Sequence, residues 1–431
     1  MWVYVKDLKK YIGQEVELKG WVWRSRSSGK IAFINLRDGT GIVQVVVEAS
    51  SVNEETFNNA KKLRMESSLI VRGSVKEEQR APGGVEIHAK EVIPLQIPKE
   101  DFPINKPDHS IDYLMNYRHL WLRSRRQMHI LHIRDAILKG IRKFYWENNF
   151  VQVDTPIFTG SIGESAGNLF EIDYFDYGKV YLAQTGQLYL EAACMALGRV
   201  FNLGPTFRAE KSKTRRHLIE FWMNEAEVAF YEHEDNLKLQ ENLVSYIVKY
   251  VLENAAEHLH ALKRDISKLE KIEPPFPRIT YTEAVKLLQK KGFDIKWGDD
   301  FGGDEETEIA KQFEKPVFIT HYPRKAKAFY MQPDPENPEV VLCDDLIAPE
   351  GYGEIIGASQ RIHDYDLLVE RLKEFNLPIE SYDWYLDLRK FGSVPHSGFG
   401  LGVERTIAWI AGLEHIRETI PFPRTLYRIH P

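Results

Sequence analysis

The 431-residue chain predicts an α+β fold: a small five-stranded β-barrel followed by a larger domain on a mostly antiparallel sheet. Three observations carry that reading. Residues 15–94 alternate apolar and polar side chains with the two-residue period of half-buried strands. Pro94, Pro98, Pro103 and Pro107 then punctuate a stretch that reads as a boundary. Beyond it, amphipathic helices and strands mix without a regular strand–helix–strand period, which disfavours a parallel sheet.

The elements follow in order. "MWVYVKDLKKYIG" has charges spaced through it and reads as the first structured piece. "EVELKGWVWRSRSSGKIAFINLRDGTGIVQVVVEAS" holds three strands, with turns at Ser27–Ser28–Gly29 and Asp38–Gly39. A helical piece, "EETFNNAKKLR", interrupts the strands before "SLIVRGSVKEE", the turn "APGG" and "VEIHAKEVIPL". Five strands and one helix in about 80 residues fit an OB-fold, with an SH3-like barrel as the other candidate. The expected division is 1–95 for the barrel, 96–118 for a linker and 119–431 for the large domain. There, Met128, Leu131, Ala136, Ile137, Ile141 and Phe144 recur at helical spacing. Further helices are expected near 233–257, 282–291 and 364–375, with strands at "KVYLAQ", "KPVFITHY" and "EVVLCDDLI".

Composition bounds the function. Hydrophobic residues at 43% and charged residues at 28% fit a soluble globular chain. With no apolar run near 18 residues and no basic-then-apolar leader, a cytoplasmic location is expected. Cys194 and Cys343 stand in no metal-like spacing, which argues against a disulfide framework or a thiolate zinc site. The net charge of −6 hides an asymmetry. Residues 1–95 carry 15 Lys+Arg against 12 Asp+Glu, and the rest carries 42 against 51. Polyanion contact is therefore expected at the N-terminal end.

Four stretches carry chemistry. "FVQVDTPIF" (150–158) is a strand broken by Pro156. "FRAEKSKTRRHLIEFW" (207–222) sets Arg208, Lys211, Lys213, Arg215 and Arg216 between Glu210 and Glu220, as two strands joined by a cationic loop. "DDLIAPEGYGEIIGASQRIHD" (344–364) places Asp345 and Glu354 before Arg361. In "SGFGLGVERTIAWI" (397–410), Gly398, Gly400 and Gly402 leave one strand face bare, so that a flat ligand or a second backbone can approach. Arg405 follows in the first helical turn with a planar fork suited to phosphate. Alone, this spacing is weak: it is neither the dinucleotide fingerprint nor a P-loop, and a tightly packed core strand explains it as well.

Together, in this order and behind an OB-like domain, the stretches resemble the three signature motifs of class II aminoacyl-tRNA synthetases. The resemblance covers nearly the whole chain and falls in the subclass that activates Asp, Asn and Lys, closest to its asparaginyl members. It implies that Arg208 holds the α-phosphate of ATP and the substrate carboxylate. Arg216 or His217, with Arg405, would bind the outer phosphates, Phe221 would stack on adenine, and Glu210 would accept from the adenine amino group. Gly402 would lie beneath the nucleotide, and Asp345 and Glu354 would hold Mg²⁺. The loop 211–215, with Ser212 and Thr214, would touch the tRNA acceptor end. Attack of a carboxylate on the α-phosphorus needs positioning and charge stabilisation, with no protein nucleophile. The histidines at 129, 132, 258 and 260 then need no metal role and read as helix-surface residues.

The same resemblance bears on the amino acid. Arg361 is expected to meet the side-chain oxygen that aspartate and asparagine share. Where aspartyl enzymes resemble Q-S-P-Q-x-x-K-Q, this chain has "AQTGQLYLEA", with Leu190 at the lysine position and Glu191 next. A carboxylate at 191 would accept from an amide and repel a carboxylate, which favours asparagine. An acid in a first helical turn is favourable in any case. Glu164 would meet the α-ammonium from a loop hinged at Gly160, Gly163 and Gly167, although Ser165–Ala166 departs from the common E-G-G or E-G-T; Gln187 would lie beside it. In the barrel, the resemblance assigns Phe33, Arg26 and Gln44 to the anticodon, although a core Phe33 is the plainer reading of the strand. Pro156 lies in the motif that forms a C2 homodimer in this class. An aspartyl enzyme of archaeal type, an ammonia-using asparagine synthetase and a catalytically dead nucleic-acid-binding paralogue stand as alternatives.

Overall fold

The structure is a computed structural model; it describes residues 1–106, 108–161, 163, 168–211 and 214–431. The chain forms two compact units, Met1–Trp121 and Leu122–Pro431.

The first unit closes five strands into a barrel. These are β1 (Glu15–Ser28), β2 (Ile31–Arg37), β3 (Ile42–Glu48), β4 (Ser68–Glu77) and β5 (Val85–Gln96), in the order β1-β2-β3-β5-β4. Helix α1 (Glu54–Lys62) sits between β3 and β4, and Asn53 caps it by accepting from the Thr56 N–H. β3 and β5 pair in parallel, which closes the OB-type barrel. Alternation sorts the faces: Ala32, Ile34 and Leu36 enter the core, and Phe33 stays half-buried outside it. Two short helices, α2 (Ile111–Asn116) and α3 (Arg118–Trp121), occupy the end of the proline-punctuated stretch.

The second unit opens with α4 (Arg125–Glu147), capped by Ser124. Its buried stripe is Ile130, Ile133, Ile137, Ile141 and Phe144; Met128 and Leu131, expected in that stripe, are only partly buried. The strands that follow are β6 (Val151–Gln152), β7 (Phe158–Thr159), β8 (Glu171–Asp173) and β9 (Lys179–Leu182), then α5 (Gln187–Leu197), β10 (Arg199–Phe207) and β11 (Glu220–Ala229). α6 (His233–Asn254) and α7 (Ala256–Ala261) lead to β12 (Arg278–Thr280), α8 (Tyr281–Lys290), α9 (Gly303–Ala310) and β13 (Val317–Thr320). The chain ends through β14 (Cys343–Ala348), β15 (Gly353–Arg361), α10 (Tyr365–Glu374), α11 (Asp383–Lys390), β16 (His396–Gly402) and α12 (Val403–Ala411).

Eight of these strands form one sheet in the order β12-β13-β14-β15-β16-β11-β10-β6. It is parallel at its two edge pairings and antiparallel between. One face packs Ala226, Val228, Ile356, Ala358, Phe399 and Leu401 against α4, α6 and α12, in the largest core of the unit. Glu404 joins three elements behind that face. It is buried at the start of α12, accepts from Trp222 N at 2.9 Å and pairs with Arg134 of α4 at 2.7 Å. The other face is left for a site. No helix among the described residues is long and apolar enough to cross a membrane.

The histidines of α4 and α7 are not the helix-surface residues expected. His129 and His258 approach to 3.0 Å, His132 stacks on His258 at 4.5 Å, and only His260 is exposed. Among the described residues no group of three or more His, Cys, Asp or Glu is placed to hold a metal. Burial, with His132 and His129 beside it, pulls the His258 imidazole down to about 4 against the opposing pull of Glu257, and burial with Arg417 and Arg215 does the same for His415. The unfolded chain therefore binds more protons as the pH falls from 6.5 towards these values. The stabilisation is complete above pH 6.5 and is lost on the way down to about 4. Thermal melting between pH 7 and 5 is expected to show a falling midpoint, with a flatter slope for His258→Phe.

Candidate functional site

The site lies on the open face of the sheet, and register builds it. Asp345 of β14, Gly357 of β15, Gly400 of β16 and Glu225 of β11 fall side by side across four strands. The next row is Cys343, Ser359, Gly398 and Glu227. The alternating glycines thus clear the centre of a floor whose flanks carry carboxylates. A Cβ at Gly400 would meet Met223 Cε at 2.7 Å, and one at Gly398 would strike the Glu227 carboxylate and the Ala226 carbonyl. A bulge at Ile355 between β14 and β15 shifts the side-chain parity, so that Glu354 comes to the floor face beside Asp345. Their carboxylates converge over Gly357, whose added Cβ would lie 3.2 Å from Glu354 Oε1 and 3.7 Å from Asp345 Oδ1.

Above this floor is a cavity of about 470 Å³. Arg208, Glu210, Arg216, His217, Phe221, Glu354, Gly402 and Arg405 all line it, as do Gln187, Arg361 and Asp345. The Arg208 guanidinium lies 5.5 Å from the Phe221 ring centroid, so that cation and ring share one wall. Arg405 donates from Nη1 to the Glu354 carbonyl at 2.9 Å and reaches its carboxylate at 3.3 Å. Arg216 is engaged elsewhere. It donates to Thr307 Oγ1 and the Gly351 carbonyl at 2.5 Å each and to Glu306 at 3.3 Å, which ties the loop after β10 to α9. Gly353, with φ +78°, is required there, because a Cβ would collide with Arg216 and Glu306. Thr214 and His217 bond to each other. Glu164 and Ser212 lie outside the described residues.

Electrostatics divide the cavity in two. At the carboxylate pair, burial raises the Asp345 carboxyl to about 6 against the pull of Lys327, which sits 2.7 Å away. Burial would raise Glu354 too, but Arg405, Lys327 and Arg208 together hold it below its ordinary value. A paired set of carboxylates flanked by arginines, open to a cavity, suits a hard divalent cation shared with phosphate oxygens. At the other end Arg361, 3% exposed, donates to Glu227 from Nη2 at 2.5 Å and from Nε at 3.1 Å, and to Ser359 Oγ from Nη1 at 2.6 Å. Burial pushes the Glu227 carboxyl up to about 8 despite Arg361. A guanidinium has five N–H groups, so two remain for a ligand. Beside it, the Glu225 carboxylate accepts from Gly186 N at 2.9 Å and from Thr185 Oγ1.

Glu191 requires a correction. It was expected to touch the amino acid, but it is fully buried and does not line the cavity. The helical periodicity of α5 turns it inward, against Tyr385 and Arg389 of α11 and His396 of β16. Sequence reasoning missed Glu225, Glu306 and Lys327. Glu225 could have been found, because "MNEAEVA" places two acids on one strand face opposite the glycines of β16. Glu306 and Lys327 carry no such signal, since a lone acid on a helix and a lone lysine in a loop read as solvated.

In the barrel, Arg26 of β1 lies 4.8 Å from the ring of Phe33 on β2, and Gln44 of β3 donates to Glu86 of β5 at 3.0 Å. An aromatic face, a cation and an amide thus share the outer surface of neighbouring strands, the composition of a single-strand stacking platform.

Known proteins resemble the whole chain. The family described as tRNA synthetases class II (D, K and N) matches residues 110–426, and an OB-fold nucleic acid binding domain matches residues 16–95. An asparagine–tRNA ligase from Symbiobacterium thermophilum is 58% identical, with all of both chains covered. The asparaginyl-tRNA synthetase of Pyrococcus horikoshii, solved with asparaginyl-adenylate, is 46% identical at a TM-score of 0.97, again with both chains fully covered. The asparaginyl-tRNA synthetase of Entamoeba histolytica, also with asparaginyl-adenylate, is 32% identical at a TM-score of 0.91 over all of both chains.

Proposed function

The chain belongs to the class II tRNA synthetases of the D, K and N group, and from that premise we propose that it activates L-asparagine with ATP and ligates it to tRNA(Asn). The floor row Asp345–Gly357–Gly400–Glu225 carries the reading, because it sets a nucleotide end and an amino-acid end on one bare strip of sheet. Full-length likeness to proteins that act on asparagine supports the choice of amino acid.

The asparagine carboxylate attacks the α-phosphorus of ATP; one P–O bond forms and another breaks, giving asparaginyl-adenylate and diphosphate. The terminal hydroxyl of the tRNA then attacks the activated carbonyl, and AMP leaves. Arg208 bridges the α-phosphate and the substrate carboxylate, overcoming the repulsion of two anions. Phe221 stacks on adenine, and Glu210 accepts from its amino group. Arg405, with His217, takes the outer phosphates, and Arg216 joins them by leaving Thr307 and Gly351. Asp345 and Glu354 would hold Mg²⁺, which when bound would supply positive charge to the phosphates. Arg361 donates to the side-chain oxygen of asparagine, and Glu225 accepts from its NH₂. Aspartate would set a carboxylate against that acceptor. Glu164 meets the α-ammonium, and Ser212 and Thr214 meet the acceptor end.

Residues 1–95 read the anticodon through Arg26, Phe33 and Gln44, with 96–118 as hinge and 119–431 as the catalytic domain. Two copies associate through the surface around Pro156, where Val151, Ile157, Phe158, Phe175 and Tyr177 are exposed. The protein works in the cytoplasm.

Amino-acid-dependent ATP–pyrophosphate exchange tests this: strong exchange with asparagine and little with aspartate at equal concentration is expected. Exchange with aspartate instead would reverse the specificity, and exchange with neither would end the enzyme reading. Phe33→Ala is expected to leave that exchange unchanged and to raise KM for tRNA about tenfold or more, the loss of one stacked base. An unchanged KM would remove Phe33 from the interface.

A further inference from the structure

Glu191 has no contact with the cavity, yet it is the centre of a buried network. Its Oε1 accepts from Gln187 Nε2 at 3.1 Å and from the Tyr385 hydroxyl at 2.7 Å. Its Oε2 accepts from Arg389 Nη2 at 2.6 Å and from His396 Nε2 at 2.8 Å. Burial favours the neutral acid, but Arg389, His396 and Arg361 outweigh it and keep the carboxyl well below the usual carboxylate range. An ionised carboxylate only accepts hydrogen bonds.

That fixes the orientation of Gln187, one helical turn earlier on α5. The two ends of its amide have the same shape, and the charge of Glu191 tells them apart. The NH₂ end must face Glu191, so Oε1 must face away from it. Gln187 lines the cavity and Glu191 does not. Among the described residues, the amide of Gln187 makes no other hydrogen bond within the chain. An acceptor is therefore held at the cavity wall with its capacity unused. The Glu225 carboxylate, bound to Gly186 N just before the helix, adds negative potential at the same end.

We propose that Glu191 is a positioning residue for amino-acid recognition: it locks the Gln187 amide with its carbonyl oxygen facing the cavity, where it accepts from the α-ammonium of the substrate. This rests on the asparagine reading above and explains why a full negative charge is retained one layer behind the site. A neutral glutamine at 191 could present either end of its own amide, and Gln187 would be free to turn.

The test compares L-asparagine with succinamic acid, which is asparagine without its amino group. Binding of each is measured by protection in thermal melting, and in exchange by the KM of asparagine and the inhibition given by succinamic acid. Glu191→Gln is expected to weaken asparagine about tenfold or more, the worth of a hydrogen bond to a charged group, and to leave succinamic acid unchanged. Equal weakening of both ligands, or of neither, overturns the proposal, since a merely structural role would not distinguish them. Gln187→Met leaves the Glu191–Arg389 pair intact and gives a second arm should Glu191→Gln not fold. The same selective loss is expected, and an unselective one overturns the proposal. A wild-type protein indifferent to asparagine would overturn the substrate reading itself, and the proposal with it.

Discussion

Arg208→Ala is expected to lower asparagine-dependent ATP–pyrophosphate exchange by about 10²- to 10³-fold, the cost of removing one preorganised donor from developing charge. The backbone around Arg208 is pinned, since its N–H donates to the Ile219 carbonyl at 2.9 Å. Its side chain, by contrast, is prepared for something absent from the chain. The guanidinium lies over Phe221, and Nε is buried with no partner among the described residues. A buried donor left unsatisfied is costly, and a phosphate or carboxylate oxygen relieves it. The loss should fall on kcat as well as KM, because the contact strengthens as the two anions meet. Arg208→Lys is expected to recover little, since an ammonium cannot span both anions with a planar fork. Stability should stay within about 1 kcal/mol of wild type, because Arg208 forms no ion pair among the described residues. Exchange within tenfold of wild type for the alanine variant would remove Arg208 from the reaction.

Arg389→Met is expected to destabilise the larger unit by about 3–5 kcal/mol, the cost of leaving a buried charge without its partner. Glu191 and Arg389 have fully buried side chains and lie 2.6 Å apart. His396 Nε2 reaches the same carboxylate oxygen at 2.8 Å, so the carboxylate would keep one ring donor. Tyr385→Phe removes a neutral donor from the same carboxylate and is expected to cost less, about 1.5–3 kcal/mol, the worth of a hydrogen bond to a charged group. Urea unfolding of the two variants separates these values. A cost below 1 kcal/mol for Arg389→Met would mean that Glu191 is not held as an anion, and the orientation of Gln187 would lose its cause.

Much of this protein was legible in its sequence because local rules decide it. Alternation determined the barrel strands, since a two-residue period needs no tertiary partner to be read. Arg208, Glu354, Gly402 and Arg405 could be singled out because motifs resembling a known family mark them, a cationic turn between strands and a glycine-spaced strand entering a helix, and all four line one cavity. The tertiary structure decided the rest. Glu191 and Glu225 look alike as isolated acids, yet one is buried behind the wall and the other lines the cavity. That outcome depends on which face of α5 meets α11 and on β11 pairing with β16, contacts between residues far apart in the chain. The bulge that brings Glu354 beside Asp345 is likewise a property of two paired strands and of neither alone. Periodicity says which residues share a face; only packing says what that face will meet.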